Sequence, residues 1–321
     1  MKRFLVTGGA GFIGSHLCEA LVARGDRVRV LDDLSSGRRE NLEPLGVGAV
    51  GSGAAVELME ADVADESAIA AAVAGVDGIF HEAAQVSVPQ SVERPIRSVD
   101  VNALATLRLL EAARGAGVGR MVFAGSSAAY GDSETLPKHE ALPVNPLSPY
   151  AVGKVAGEQL MRIYGQLHGM RTVTLRYFNV FGPRQVDDSP YTGVIAIFAR
   201  ALLSGSAPKI FGDGEQTRDF TFVANVVQAN LRAMDGDAPR GAVYNVGGGV
   251  RISINQLYGR LAEIAGSDLV PTYEPARVGD VKHSLASLDA IRADLGYEPT
   301  VSWEEGLVPT FEWYRERLAR A

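Results

Sequence analysis

Thr7-Gly8-Gly9-Ala10-Gly11-Phe12-Ile13-Gly14 decides how this chain is read. Before it runs Lys2-Arg3-Phe4-Leu5-Val6, a short apolar stretch ending in a Gly-rich turn, which predicts a buried strand. After it, Phe12, Ile13, Leu17, Leu21 and Val22 recur at helical spacing as far as Arg24. Strand, turn and helix make the first half of a βαβ unit. Gly8 allows the tight turn, Gly11 lets a pyrophosphate approach the backbone, and Gly14 lets the helix pack close to the sheet. The helix start then offers free N–H groups and a positive dipole end to phosphate. The next strand-like run, Arg27-Val28-Arg29-Val30-Leu31, ends in Asp32-Asp33. A carboxylate there accepts hydrogen bonds from an adenosine ribose and repels a 2′-phosphate, which favours NAD over NADP. Arg38 and Arg39 lie close by and count against that preference.

A chain of 321 residues, 46% hydrophobic, can bury a large core as one large or two closely joined domains. A net charge of -7 and a pI near 5.4 argue against nucleic-acid binding. No run is long enough to span a bilayer and no cleavable leader pattern opens the chain, so a soluble cytoplasmic protein is expected. The single cysteine, Cys18, cannot form an internal disulfide and reads as buried filler. The five histidines (His16, His81, His139, His168, His283) show no ligand spacing, so no metal is expected.

Strand-like runs at Val56–Glu60, Gly78–Phe80, Arg120–Phe123 and Thr172–Leu175 alternate with helix-like runs around Ser67–Val73, Ile96–Ala113 and Tyr150–His168. This alternation predicts an α/β fold with a doubly wound parallel sheet, ligands lying beyond the carboxyl ends of its strands. Gly46 to Ala55, rich in Gly and Ala, reads as a mobile surface loop or hairpin. From Phe178 the pattern turns irregular. The expected division is a nucleotide-binding Rossmann domain over 1–177, then a smaller substrate-binding α/β lobe over 178–321 with some segments returning to the first.

Ser148-Pro149-Tyr150 opens a helix, and Tyr150 and Lys154, four apart, share a face. A phenol titrates at about 10 when free. A neighbouring ammonium and the positive ring of bound NAD favour its ionised form, which makes Tyr150 a candidate general base. Tyr and Lys at this spacing also simply decorate many helices. Ala124-Gly125-Ser126-Ser127, at the end of the preceding strand, shifts the balance, because Ser126 can place a hydroxyl beside the same reacting oxygen.

Together with these motifs, Asp62-Val63, His81-Glu82-Ala83-Ala84, Asn102, Arg176-Tyr177-Phe178-Asn179-Val180-Phe181-Gly182-Pro183, Gly212-Asp213-Gly214, Arg218-Asp219-Phe220 and Arg277-x-Gly279-Asp280 complete a pattern along the whole length. The chain resembles an extended short-chain dehydrogenase/reductase of the nucleotide-sugar epimerase and dehydratase group. The resemblance implies an NAD site formed by Gly8, Gly11, Phe12, Ile13, Gly14, Asp32, Asp33, Ser35, Ser36, Gly37, Asp62, Val63, Ala83, Ala84, Asn102, Tyr150, Lys154, Tyr177 and Val180. Asp62 and Val63 would frame the adenine, Lys154 would also hold the nicotinamide ribose, and Tyr177 would sit near the carboxamide. It implies a UDP-sugar site formed by Val86, Ser126, Ser127, Tyr150, Asn179, Gln185, Gly193, Val194, Phe211, Arg218, Arg277, Asp280 and Ser284. Arg218 and Arg277 would take the diphosphate, as a planar guanidinium fits phosphate oxygens. A lone arginine equally makes a surface salt bridge. A homodimer paired through Ile96–Ala113 and the Tyr150 helix is also implied.

By the same resemblance, Tyr150 would take the proton of the sugar 4-hydroxyl as C4 is oxidised. Dehydratases of the group carry an Asp-Glu pair where this chain has Ser127 and Ala128, and decarboxylases carry a Glu at the second of these positions. Without those acids, return of the hydride to the other face, a 4-epimerisation, is the reaction left. A bulky gatekeeper would stand four residues after Asp280; Ser284 there leaves room for an acetamido group. The expected substrates are UDP-glucose and UDP-galactose, with UDP-GlcNAc and UDP-GalNAc. The alternatives are a UDP-glucuronate 4-epimerase or decarboxylase, with Arg184 meeting the sugar carboxylate, and a non-catalytic NAD-binding regulatory protein. Val86 departs from the Gly or Lys of related epimerases.

Overall fold

The computed structural model describes residues 1–185, 193–276 and 282–320. Seven strands follow in order: β1 (Arg3–Thr7), β2 (Arg27–Asp32), β3 (Val47–Ala49), β4 (Val56–Glu60), β5 (Gly78–His81), β6 (Arg120–Ser126) and β7 (Arg171–Tyr177). With the later strand Ala242–Val246 they form one eight-stranded sheet in the order Ala242–Val246, β7, β6, β5, β1, β2, β4, β3. Every pairing in it is parallel. The expected doubly wound α/β sheet is what the chain forms.

Alternation along each strand sorts the core into two faces. Phe4, Val6, Val28, Val30, Val122 and Ala124 join one buried cluster, which takes in α1 (Phe12–Ala23) through Leu17, Cys18 and Leu21. Leu5, Leu31, Ile79, Met121 and Phe123 join the other, which takes in α2 (Glu66–Val73) through Ile69 and Val73. The fully buried stripe of α1 runs through Gly14, Ser15, Leu17, Cys18 and Leu21, and Ile13 and Val22 pack partly buried against the same core.

Two stretches differ from the sequence reading. Gly46 to Ala55 is no hairpin: Val47–Ala49 adds to the sheet edge in parallel register, Val47 opposite Val56. Ile96–Ala113 is not one α-helix. After α3 (Val88–Glu93), α4 (Pro95–Val99) runs into a π-helical turn at Asp100–Leu104 and only then into α5 (Ala105–Gly115). The π turn inserts one residue per turn without breaking the apolar pattern, so spacing alone does not expose it. The helix α6 (Pro149–His168) is capped at Ser148, whose hydroxyl accepts from Ala151 N at 3.2 Å.

Beyond residue 178, α7 (Val194–Leu203), α8 (Val223–Asp235), α9 (Ile254–Ala265), α10 (Asp289–Leu295) and α11 (Trp303–Arg320) alternate with strands of two to five residues. A third core cluster, of Phe181, Phe198, Leu257, Leu261, Phe311 and neighbours, lies wholly in this part. In contrast, α8 and α10 supply Val226, Met234, Ile291 and Leu295 to the α1 face of the large sheet. No helix among the described residues is long and apolar enough to cross a membrane.

Candidate functional site

At the carboxyl end of β1 the backbone turns through Gly8, whose φ is +69°. A Cβ on Gly8 would lie 2.7 Å from Ala83 N, and one on Gly14 would drive into the Gly8 carbonyl oxygen. Gly8 N donates to Leu31 O at 2.8 Å and Gly11 N to Gly8 O at 3.1 Å, so the loop is tied to β2 and closed on itself. Gly11 caps α1 with no side-chain bond and no acid in the first turn. A bare helix start behind a glycine cradle fits a dinucleotide pyrophosphate.

Asp32 is buried (7% exposed), its Oδ2 accepting from Ala10 N and its Oδ1 from Leu34 N, both at 2.9 Å. Burial pushes this carboxyl up, and the two amides oppose it. The residue therefore ties the phosphate turn to the loop after β2, and a Cβ on Gly37 would meet its Oδ1 at 2.6 Å. Asp33, Ser35 and Ser36 are exposed on that loop, with Asp33 Oδ1 accepting from Ser35. Asp62 Oδ2 accepts from Arg97 at 2.6 Å, and the same guanidinium stands 3.9 Å from Asp33. Val63 is buried beside them. Ala83 N donates to the Thr7 hydroxyl at 3.3 Å. Asn102, on the π turn, holds Gln85 by both backbone groups, at 2.9 Å and 3.0 Å. Phe12 and Ile13 open α1, and Ala84 follows the end of β5 by three residues.

Ser126 closes β6 and caps the 3-10 turn Ser127–Tyr130, its hydroxyl accepting from Ala128 N at 3.1 Å. Tyr150, in the first turn of α6, lies beside Ser126, whose hydroxyl favours the ionised phenol. One turn on, Lys154 Nζ donates to Ala124 O at 2.8 Å and sits 5.0 Å from the Phe123 ring centre. The three expected catalytic side chains thus meet at the end of β6. Burial raises the Tyr150 phenol, the Ser126 hydroxyl opposing, and burial lowers Lys154 to about 8. The Lys154 hydrogen bond goes to the strand carbonyl, so any help to Tyr150 comes through its field.

The sugar-side residues come from scattered segments. Asn179, at φ +25°, donates to Asp219 O at 3.2 Å, and Val180 pairs with Thr221. Gln185 Nε2 donates to Val180 O at 3.1 Å and faces Gly193, the cap of α7 just before Val194. Phe211 ends the strand Lys209–Phe211, and its carbonyl accepts from Gln216. Arg218 donates to Thr217 O at 2.9 Å, while Ser284 N donates to that same carbonyl at 3.1 Å, which brings the two together. Val86 is 67% exposed near the α3 start, and Ser127 opens the turn after Ser126. Arg277 and Asp280 lie outside the described residues. Arg184 reaches α1, donating to Glu19 at 2.8 Å and to Ser15 at 3.4 Å.

Sequence reasoning overlooked three buried or half-buried partners. Asp219, with no exposed surface, accepts from Gly248 N, Gly249 N and Ala286 N. Glu82 accepts from the Tyr177 hydroxyl at 2.9 Å, and Asn230 Nδ2 donates to that hydroxyl at 2.7 Å. Asp219 and Glu82 stand inside motifs quoted for the resemblance, which was the available signal; Asn230 had none.

Residues 4–247 match the model of the NAD dependent epimerase/dehydratase family. A UDP-glucose 4-epimerase of Mycolicibacterium smegmatis is 43% identical over 98% of this chain and 99% of its own. The crystal structure of UDP-glucose 4-epimerase with UDP-glucose from Thermotoga maritima superposes with a TM-score of 0.91 at 39% identity, covering 98% of this chain and 99% of that one. UDP-N-acetylglucosamine 4-epimerase from Methanobrevibacter ruminantium, in complex with UDP-N-acetylmuramic acid, reaches the same TM-score at 36% identity and the same coverage. With the glycine cradle, the acid after β2 and the Ser126–Tyr150–Lys154 cluster in place, the chain belongs to the NAD-dependent epimerase/dehydratase family of extended short-chain dehydrogenases/reductases.

Proposed function

We propose that this protein is an NAD-dependent 4-epimerase of UDP-hexoses that interconverts UDP-glucose with UDP-galactose and UDP-GlcNAc with UDP-GalNAc through a 4-keto sugar. The observation that carries the reading is the cluster at the end of β6: Tyr150 opens α6 beside Ser126, Lys154 one turn on donates to Ala124 O at 2.8 Å, and the turn that follows Ser126 carries Ser127 and Ala128 in place of acids. Tyr150 takes the proton of the sugar 4-hydroxyl and later returns it, while Ser126 steadies the same oxygen. Lys154, at about 8, is mostly charged at neutral pH, and its field favours the phenolate. Bound NAD supplies the acceptor and donor of the C4 hydride. With no second acid on the turn, water loss and decarboxylation lack their agents. The Glu19 bond of Arg184 weighs against that side chain meeting a glucuronate carboxylate. Ser284 beside Arg218 supports the wider sugar range.

A second copy of the chain is proposed to cover the apolar residues that α3, α4 and α6 leave open. Val92, Ile96, Ile163 and Leu167 are 63%, 86%, 43% and 73% exposed there. Sedimentation of a Leu167→Glu variant as a monomer, beside a dimeric wild type, is the expected result.

The functional test is anomeric proton NMR on an equimolar mixture of UDP-glucose and UDP-GlcNAc. Both galacto products are expected. UDP-galactose alone would remove the argument from Ser284. No turnover of either sugar, with NAD added, would defeat the epimerase reading.

A further inference from the structure

Two ionisable side chains flank the carboxyl ends of β5 and β6 from opposite faces of the sheet. Glu82 follows β5 directly, where its N–H donates to Thr7 O at 3.1 Å. Phe80 belongs to the α1 face, so Glu82, two residues on, points to that face as well. There it meets Tyr177, which reaches across β6 from the end of β7, and Tyr177 in turn is held by Asn230 of α8. Lys154 approaches from the α6 side, on Ala124 O and over Phe123. His81 pairs with Phe123 in register, so Glu82 stands level with Ala124. The epimerisation scheme above makes no use of Glu82, Tyr177 and Asn230 as a chain.

We propose that Glu82 is a positioning residue: it fixes the Tyr177 ring between itself and Asn230 and sets a carboxyl group level with Ala124, the residue whose carbonyl Lys154 grips. The inference rests on Lys154 serving the reaction as described. The field acts both ways. Burial lifts Glu82 to about 7, while the Tyr177 bond and Lys154 oppose the rise; burial lowers Lys154, and Glu82 opposes that fall. The groups that face the pair are Lys154 from α6, Tyr177 from β7, Cys18 from α1, and His81, which burial and Lys154 keep neutral at about 3. Cys18 is raised by burial first and stays a thiol, so the Glu82–Lys154 pair sets the charge.

The sign follows. Below the ordinary carboxyl range Glu82 is neutral whether the chain is folded or not. As pH rises toward 7 the folded protein keeps the proton longer, so ionisation of Glu82 costs stability that is fully felt at pH 8. Glu82→Gln keeps the oxygen that Tyr177 needs and removes the charge. Its melting temperature relative to wild type is therefore expected to rise between pH 5 and pH 8, in protein stripped of NAD as well as in loaded protein. Its kcat is expected to match wild type near pH 6 and fall several-fold behind at pH 8, because Lys154 loses its charge earlier. Tyr177→Phe keeps the carboxylate but removes the donor that lowers it, so Glu82 ionises later and the fall in melting temperature moves to higher pH. A rate ratio for Glu82→Gln that stays flat across pH, in active wild-type enzyme, overturns the role of Glu82 and leaves the epimerase reading standing. A melting profile unmoved in Tyr177→Phe does the same. Wild-type protein that turns over no UDP-sugar defeats the epimerase reading and the Glu82 role together.

Discussion

The phosphate turn and the sugar-side segments face the same cleft but are held in place by different means. Around β1, each position is set by neighbours a few residues away or one strand over: Gly14 packs on Gly8, Gly8 on Leu31 and Ala83. Beyond residue 178 the strands are short, and placement falls to single buried polar groups that reach far along the chain. Asp219 joins Gly248, Gly249 and Ala286, and Asn225 accepts from Thr300 N and Val301 N. The first design is a backbone device, in which any side chain is an intrusion. The second is a set of polar clasps, in which one side chain carries a whole junction.

If that contrast is right, the largest effect comes from intruding on the turn. Gly14→Val puts two methyl groups where the Gly8 carbonyl already excludes a Cβ. Backbone cannot rotate away as a side chain can, so the cost is expected to reach about 3 kcal/mol or more. The variant should purify without NAD and melt well below wild type. Retention of NAD, read by absorbance after denaturation, would show that the turn yields and that the contrast is overdrawn.

Asp219→Asn tests the opposite region. Burial holds the Asp219 carboxyl up at about 6, against three amide donors. The folded state thus binds this proton more tightly than the unfolded chain. Stability is full below about pH 4 and is lost as pH rises through 6, by about 3 kcal/mol for a shift of about two pH units. The asparagine should flatten that slope in melting curves taken from pH 4 to 7. Its single oxygen cannot satisfy three donors, so one N–H near Gly248, Gly249 or Ala286 loses its partner. Arg218 and Ser284 lie next to this clasp, and KM for the UDP-sugar should rise about ten-fold, a loss of about 1.4 kcal/mol in binding. NAD content should not change. Loss of NAD would mean that the two regions are one mechanical unit.

The same contrast explains what the sequence revealed. The sheet, the glycine turn, Ser126, Tyr150 and Lys154 were legible because each is announced by residues close by in the chain. Asn102 was legible as a position but not as part of a π turn, since one extra residue leaves the apolar stripe intact. The edge strand Val47–Ala49 was hidden in a Gly-rich stretch whose composition says loop. The contacts of Arg184 and Asp219 were not legible because their partners, Glu19 and Ala286, lie 165 and 67 residues away, and no local pattern selects them. Glu82 ends an apolar strand run, where a carboxylate is out of place without a use, yet its partner Tyr177 is 95 residues on.

The smallest effect sharpens the comparison from inside the second region. Ser253 caps α9 in a reciprocal box: its hydroxyl accepts from Gln256 N at 3.1 Å, and Gln256 Oε1 accepts from Ser253 N at 2.9 Å. This is a local device within a part of the molecule otherwise built on distant clasps. Ser253→Ala removes one of the two bonds and is expected to cost about 1 kcal/mol. In a chain of this size that lowers the melting temperature by about 2 °C. Ser253 also pairs through its backbone with Thr217, next to Arg218, and the substitution leaves that ladder intact. α9 keeps its own packing through Leu257, Tyr258 and Leu261, with the Tyr258 ring 5.5 Å from that of Phe198. KM for the UDP-sugar and NAD content should therefore both hold at wild-type values. A rise in KM as large as that of Asp219→Asn would mean that the cap, a four-residue motif, also carries the site. Placement in the second region would then be as local as in the first.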